Sequence, residues 1–184
     1  METHEMEFTE HYYFLRMYSV DLNTARLAVK VLKRYRRADV RYALLRDLIV
    51  TYVRPFSVNK GRQSKHILSV KRHVPASMRS LHDELVRVRM QQFAHTDLTY
   101  YSPLTLTFRG PNGEFNGYGT MFKGYDYGAL LEKLPHIEKL IAAVETSVNA
   151  ELRREERESG TDGPVIPIPP EQKADLENLT EKSE

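Results

Sequence analysis

Five apolar residues, Ile137, Leu140, Ile141, Val144 and Val148, recur at intervals of three and four along one stretch of the chain. That spacing follows the turn of an α-helix and makes one continuous stripe, which has to be buried against other elements. Two earlier stretches repeat the pattern. Leu27, Ala28, Val31, Leu32 and Tyr35 fall on a segment that Asp21 or Asn23 can cap; Tyr42, Leu45, Leu48, Ile49 and Tyr52 fall on one that Asp39 can cap. The second of these should end before Pro55, since proline disfavours the helical region for Arg54. Phe8 to Val20, rich in aromatic residues, predicts a further short helix. The predicted fold class is therefore all-α, an antiparallel helical bundle.

Other segments are read by their punctuation. Phe56 to Val74 has no clear period and holds Asn59-Lys60-Gly61-Arg62, a turn-like basic loop. Pro75 or Ser77 opens the next helix, on which Leu81, Leu85 and Val88 form one apolar face and Val86, Met90 and Phe93 another. A helix apolar on two sides is predicted to face the core with one and a partner, most simply a second copy, with the other. Around Gly110-Pro111-Asn112-Gly113, residues 104–122 read as a small β-hairpin attached to the helices. Asp126 to Leu134 begins another helix, and Pro135 suits the first turn of its continuation. From Glu155 onward acidic residues, glycine and proline dominate, so residues 1–154 are expected to form one domain and 155–184 a disordered acidic tail.

Composition narrows the function. The 184 residues include no cysteine, which excludes disulfides, thiolate metal sites and cysteine nucleophiles. No long apolar run and no signal-like N-terminus are present, so a cytoplasmic protein away from membranes is expected. Residues 22–89 carry seventeen Lys and Arg against four acids, whereas residues 151–184 carry five against ten. A basic body of this kind suits a phosphate-rich partner such as RNA, although solvated helix faces give the same count. Arg54, Lys60, Arg62, Lys65, Lys71 and Arg72 are the residues expected to meet it. No zinc-protease pattern, phosphate-binding glycine loop or nucleophile elbow occurs. No metal or other cofactor is expected.

The stretch Arg89-Met90-Gln91-Gln92-Phe93-Ala94-His95 sets an always-charged guanidinium and a titratable imidazole six positions apart. These groups serve RNA cleavage without a metal: His95 as base or acid for the proton steps, Arg89 as a fork on the phosphate oxygens. His82, Gln92 and Asp97 are candidate supporting residues, Asp97 by orienting His95. The competing reading makes Arg89 an ion pair with Asp83 or Glu84, His95 a helix-end residue and His82 a packing residue. Geometry adds a condition. Six residues of ideal helix turn by about 600°, leaving the two side chains roughly 120° apart. Either the helix is distorted or ended before His95, or a two-fold axis brings two copies together.

Tyr42-Ala43-Leu44-Leu45-Arg46-Asp47-Leu48-Ile49 running into Arg54-Pro55-Phe56, and Leu81-His82 leading to Arg89 and Phe93-Ala94-His95-Thr96-Asp97, resemble the HEPN superfamily, most of all its abortive-infection AbiU-type branch. The resemblance spans roughly residues 10–150. It implies an all-α homodimer and a metal-independent endoribonuclease with Arg89 and His95 as catalytic residues. It also implies a toxin or phage-defence role, with an antitoxin or other protein partner. Active members often carry a polar residue where this chain has Met90, and other members are inactive scaffolds. A non-catalytic RNA-binding or partner-binding dimer is therefore the alternative.

Overall fold

Helices α1 (Glu10–Arg34) and α7 (Leu134–Glu158) lie antiparallel, as the polar contacts along their seam show. Tyr12 meets Glu156, Ser19 meets Asn149, Arg26 meets Glu145 and Lys33 meets Glu138, so positions rise on one helix as they fall on the other. The structure is a computed structural model that describes residues 9–94 and 98–158. Thr9 caps α1, its hydroxyl accepting the Tyr12 amide at 3.2 Å.

The chain from Glu10 to Arg34 is one helix, which corrects the expectation of two. No glycine or proline interrupts it, and Leu15, Tyr18, Leu22, Ala25, Val29 and Leu32 keep a buried stripe running across the expected break. Asp21 is thus no cap; its carboxylate takes a 2.7 Å bond from Arg54. Residues 35–37 turn the chain into α2 (Ala38–Val53), a short connection of the kind that places helices antiparallel and adjacent. Asp39 is likewise not the cap but a first-turn residue paired with Arg37, where its charge suits the helix dipole. The end before Pro55 is as expected, with a 3₁₀ turn over Arg54–Phe56 following.

Residues 56–74 are less shapeless than the sequence implies. Strands β1 (Asn59–Lys60) and β2 (Lys65–His66) pair antiparallel around the basic loop, and a helical turn α3 (Val70–His73) follows. Pro75 opens a 3₁₀ turn, Ala76–Met78, that runs into α4 (Arg79–Val88). From Arg89 to Ala94 the helix loosens into π geometry. After the short α5 (Leu98–Tyr101), β3 (Leu104–Arg109) and β4 (Phe115–Met121) form the expected hairpin, with Gly113 at φ +81° in its turn. Leu104, Leu106, Phe108 and Met121 share one face of it and are exposed, because among the described residues no layer lies beneath the two strands. Asp126 caps α6 (Tyr127–Glu132) through the Ala129 amide, within the stretch from Asp126 to Leu134 expected to begin a helix.

The core lies where α1, α2, α4 and α7 meet. All five residues of the opening stripe are buried there, with Leu45, Leu48, Ile49 and Tyr52 from α2 and Leu85 and Val88 from α4. The chain is mostly helical with two small antiparallel hairpins. Helix α7 continues through Glu158, so the expected domain boundary at 154 falls inside a helix; Glu155 to Glu158 extend it with Arg154 bridging to Glu158 at 3.7 Å. The remainder of the expected tail, 159–184, lies outside the described residues. Among the described residues no helix is long and apolar enough to cross a membrane.

Candidate functional site

Arg89 stands at the junction where α4 gives way to the π turn. A π turn pairs each amide with the carbonyl five residues back rather than four, so the backbone is widened between Arg89 and Ala94. The α-helical backbone is therefore distorted between Arg89 and the position before His95. His95 and Asp97 themselves lie outside the described residues.

The guanidinium of Arg89 has no carboxylate partner among the described residues. Its bond is to the Met90 sulfur, Nη1 to Sδ at 3.2 Å. The acids expected to pair with it are placed otherwise: Glu84 accepts Lys133 at 2.8 Å and the Tyr125 hydroxyl at 3.2 Å, and Asp83 is exposed. Glu84 and burial together push the Tyr125 phenol up to about 12, with burial the larger cause. Gln92 joins the wall of the same segment. Its Oε1 accepts the Tyr127 hydroxyl at 3.0 Å, and its Nε2 is buried with no hydrogen bond among the described residues. Tyr42, Phe93 and Tyr127 pack edge to face and stacked around it, at 4.9 to 6.3 Å between ring centres.

His82 is drawn away from this surface. It is buried between Tyr52 and Phe56, its Nδ1 2.9 Å from the Tyr52 hydroxyl, and burial lowers its pKa. A neutral ring accepting the tyrosine proton satisfies both groups, which is the behaviour of a core histidine. The second apolar face of α4 divides likewise. Val86 and Phe93 pack against the chain's own core, and Met90 alone of the three remains 42% exposed.

The basic residues separate into tied and untied sets. Arg54 is held by Asp21, and Arg72 by Glu151 at 2.6 Å. Lys60, Arg62 and Lys65 project from the β1–β2 hairpin, exposed and without an ion pair among the described residues; Lys71 is exposed as well. The hairpin is clamped to α1 by Glu10. That carboxylate accepts the backbone amides of Arg62, Gln63 and Ser64 and lies 2.9 Å from the His66 ring nitrogen. The His66 bond, followed by those of the amides, holds the Glu10 carboxyl down at about 2. Phe14 stacks on His66 at 4.1 Å and completes the clamp.

Sequence reasoning missed a second polar centre. Glu151, buried on α7, accepts His73 Nε2 at 3.2 Å on one oxygen, and Arg72, Arg154 and His11 at 2.6, 3.3 and 3.3 Å on the other. Burial pushes its carboxyl up, yet the His11 bond and the Arg72 and His73 charges outweigh it and the net shift is downward. His73 is shifted down, chiefly by burial, and its Nδ1 lies 3.0 Å from the Ser147 hydroxyl. Donor atoms of His11, Glu151 and Glu155 lie within 4.8 Å of one another, a spacing that suits a metal ion. A cation would have to displace two guanidinium groups from the same Glu151 oxygen, so the arrangement works as an ion-pair hub. The one signal available beforehand was a glutamate, Glu151, three and seven residues beyond Val148 and Val144 on the apolar stripe of α7.

No protein-family model, curated protein or solved structure matches the chain.

Proposed function

We propose that this chain is a metal-independent endoribonuclease of HEPN type, acting as a homodimer with Arg89 and His95 at its site. The observation that carries the reading is the π turn from Arg89 to Ala94, which begins at an arginine engaged by no carboxylate among the described residues. π turns store a distortion that ordinary helices avoid and recur at functional sites. An arginine needed only for the surface would gain from Glu84 or Asp83 nearby, and here it has neither.

In the proposed reaction the 2′-hydroxyl attacks the adjacent phosphorus while His95 takes its proton. The charge that builds on the non-bridging oxygens meets the planar fork of Arg89. The 5′-oxygen leaves with a proton from the histidine of one copy or the other, giving a 2′,3′-cyclic phosphate and a 5′-hydroxyl. Gln92 Nε2, a donor without a partner among the described residues, supports this surface. Toxin or defence activity, held in check by an antitoxin, would be the biological setting that the family resemblance implies.

Cleavage should persist in EDTA, vanish in Arg89→Ala and His95→Ala, and spare substrates blocked at the 2′-oxygen. His95→Ala should still bind RNA, because the histidine acts in the transition state more than in the ground state. Protein that binds RNA but cuts nothing under these conditions would establish the second reading, a non-catalytic RNA-binding dimer. What favours that alternative is the Met90 thioether, which occupies Arg89 at the position after it.

A further inference from the structure

Beside the Glu10 clamp lies a cleft of about 820 Å³, lined on one side by Thr9, Tyr13, Phe14 and Met17 of the α1 start and on the other by Lys60–Gln63. We propose that it binds one unpaired nucleotide of single-stranded RNA, with the base against Tyr13 and Met17 and the phosphate at Lys60 and Arg62. The proposal rests on the reading of the chain as an RNA-binding protein and names a subsite separate from Arg89.

Three observations support it. The volume falls within the range of pockets that enclose a small organic ligand. Tyr13 and Met17, four residues apart and so on one helix face, are 48% and 51% exposed, an apolar wall that the helix turns outward at the cleft. Tyr12 fixes the Tyr13 ring by an edge contact at 5.8 Å. Opposite stand Lys60 and Arg62, cations without an ion pair among the described residues. An aromatic face with cations across from it is the recurring platform for single strands, where bases are free to stack. In a duplex the base faces are already covered, so double-stranded RNA cannot use it.

Glu10 is the one acid among the described residues of the lining, and its placement helps. The carboxylate is turned into the loop amides of Arg62, Gln63 and Ser64 and the His66 ring, which absorb its charge. Those bonds also fix the loop that carries Lys60 and Arg62. The backbone that carries both cations is thereby ordered before any ligand arrives, which lowers the ordering cost of binding.

The test measures binding of the full chain by fluorescence anisotropy to labelled 2′-O-methyl oligouridylate, which cannot be cut through its 2′-oxygen. An abasic 2′-O-methyl ribose-phosphate strand of the same length and an RNA duplex serve as comparisons. Tyr13→Ala should weaken oligouridylate roughly ten-fold and leave the abasic strand unchanged, while Tyr13→Phe keeps full affinity. Lys60→Ala with Arg62→Ala should weaken both single strands and lower the salt dependence by roughly 0.7 in the log–log slope, the share of one neutralised phosphate. Circular dichroism melts check that each variant is folded; Met17→Ser, at a neighbouring point on the wall, repeats the Tyr13→Ala measurement with a residue that does not touch the clamp. Oligouridylate binding that ignores both wall substitutions, or an abasic strand weakened as much as oligouridylate, would overturn the subsite and leave RNA binding standing. Wild-type protein that binds none of the probes would overturn the RNA reading and the subsite with it.

Discussion

Glu151→Gln tests whether the polar hub on α7 holds the bundle together. The substitution keeps volume and shape but replaces one oxygen with an NH₂ group, and every neighbour of that carboxylate is a donor. Whichever way the amide turns, it sets a donor against His73 Nε2 on one side or against Arg72, Arg154 and His11 on the other. The exposed partners count for little: an exposed ion pair contributes about 0–1 kcal/mol. The His73 contact is different, since both side chains are almost wholly buried, 3% and 5% exposed. Breaking a buried pair costs about 3–5 kcal/mol, and the amide, which keeps one acceptor, should cost about 2–4 kcal/mol. For a chain of this size that corresponds to a fall in Tm of roughly 5–15 °C. Arg72→Ala, by contrast, should cost no more than about 1 kcal/mol. The effect also has a pH signature. The Glu151 pKa is lowered in the fold, so its contribution is complete above the unfolded value near 4.5 and disappears as pH falls through the lowered folded value. Thermal melts followed by circular dichroism across that range would show the wild type and the variant converging in acid. A Glu151→Gln protein that melts with the wild type at neutral pH, or an Arg72→Ala protein equally destabilised, would refute the argument.

Three further outcomes follow from the packing. His82→Ala should lose about 2–4 kcal/mol in urea unfolding, because it opens a cavity and leaves the buried Tyr52 hydroxyl without its partner; a loss below about 1 kcal/mol would place His82 outside the core. Since burial holds His73 and His82 below the usual histidine value, the unfolded chain takes up protons first on acidification, and stability should fall as pH drops below about 6.5; a level profile from neutral pH down to 5.5 would contradict this. Leu106→Ser with Phe108→Ser should change the Tm of the chain by no more than about 2 °C, as the hairpin face covers no part of the helical core; a large drop would mean that the hairpin supports the bundle.

The fold was legible wherever burial on one face sets the pattern. The stripe of α7, the α2 face and the Asn-Gly hairpin were all readable, because burial against one layer imposes a helical period and a tight turn imposes its glycine. Misreadings arose where one residue type supports two roles. Asp21 and Asp39 have the chemistry of caps, but Asp21 binds Arg54 across the bundle and Asp39 serves the dipole from within the first turn of α2. Strands β1 and β2 are two residues each, too short to show alternation, and exist because Glu10 fastens the loop between them from a distance in sequence. The π turn itself was not legible. The spacing of Arg89 and His95 demanded a distortion or a partner copy, and no residue in Arg89–Ala94 announces π geometry by its type.

The charge count shows the same limit from another side. Seventeen cations against four acids in residues 22–89 suggest a broad positive surface, but the acids that answer them lie elsewhere in the chain. Arg26 and Lys33 are met by Glu145 and Glu138, and Arg72 by Glu151, all on α7, while Arg54 is met by Asp21 on α1. Local composition overstates the field in part, because folding brings Glu138, Glu145 and Glu151 of α7 against cations of its neighbours. Twelve of the seventeen have no ion pair among the described residues, Lys60, Arg62 and Lys65 on the β1–β2 loop and Arg89 at the π turn among them. A helix face that needs only solubility can leave its cations anywhere. Cations left unpaired on a loop that Glu10 ties to α1, beside an apolar wall, are arranged for a ligand with both a phosphate and a ring, so weakening of RNA binding should track Lys60 and Arg62 rather than Arg26 or Lys33 when each is changed to alanine.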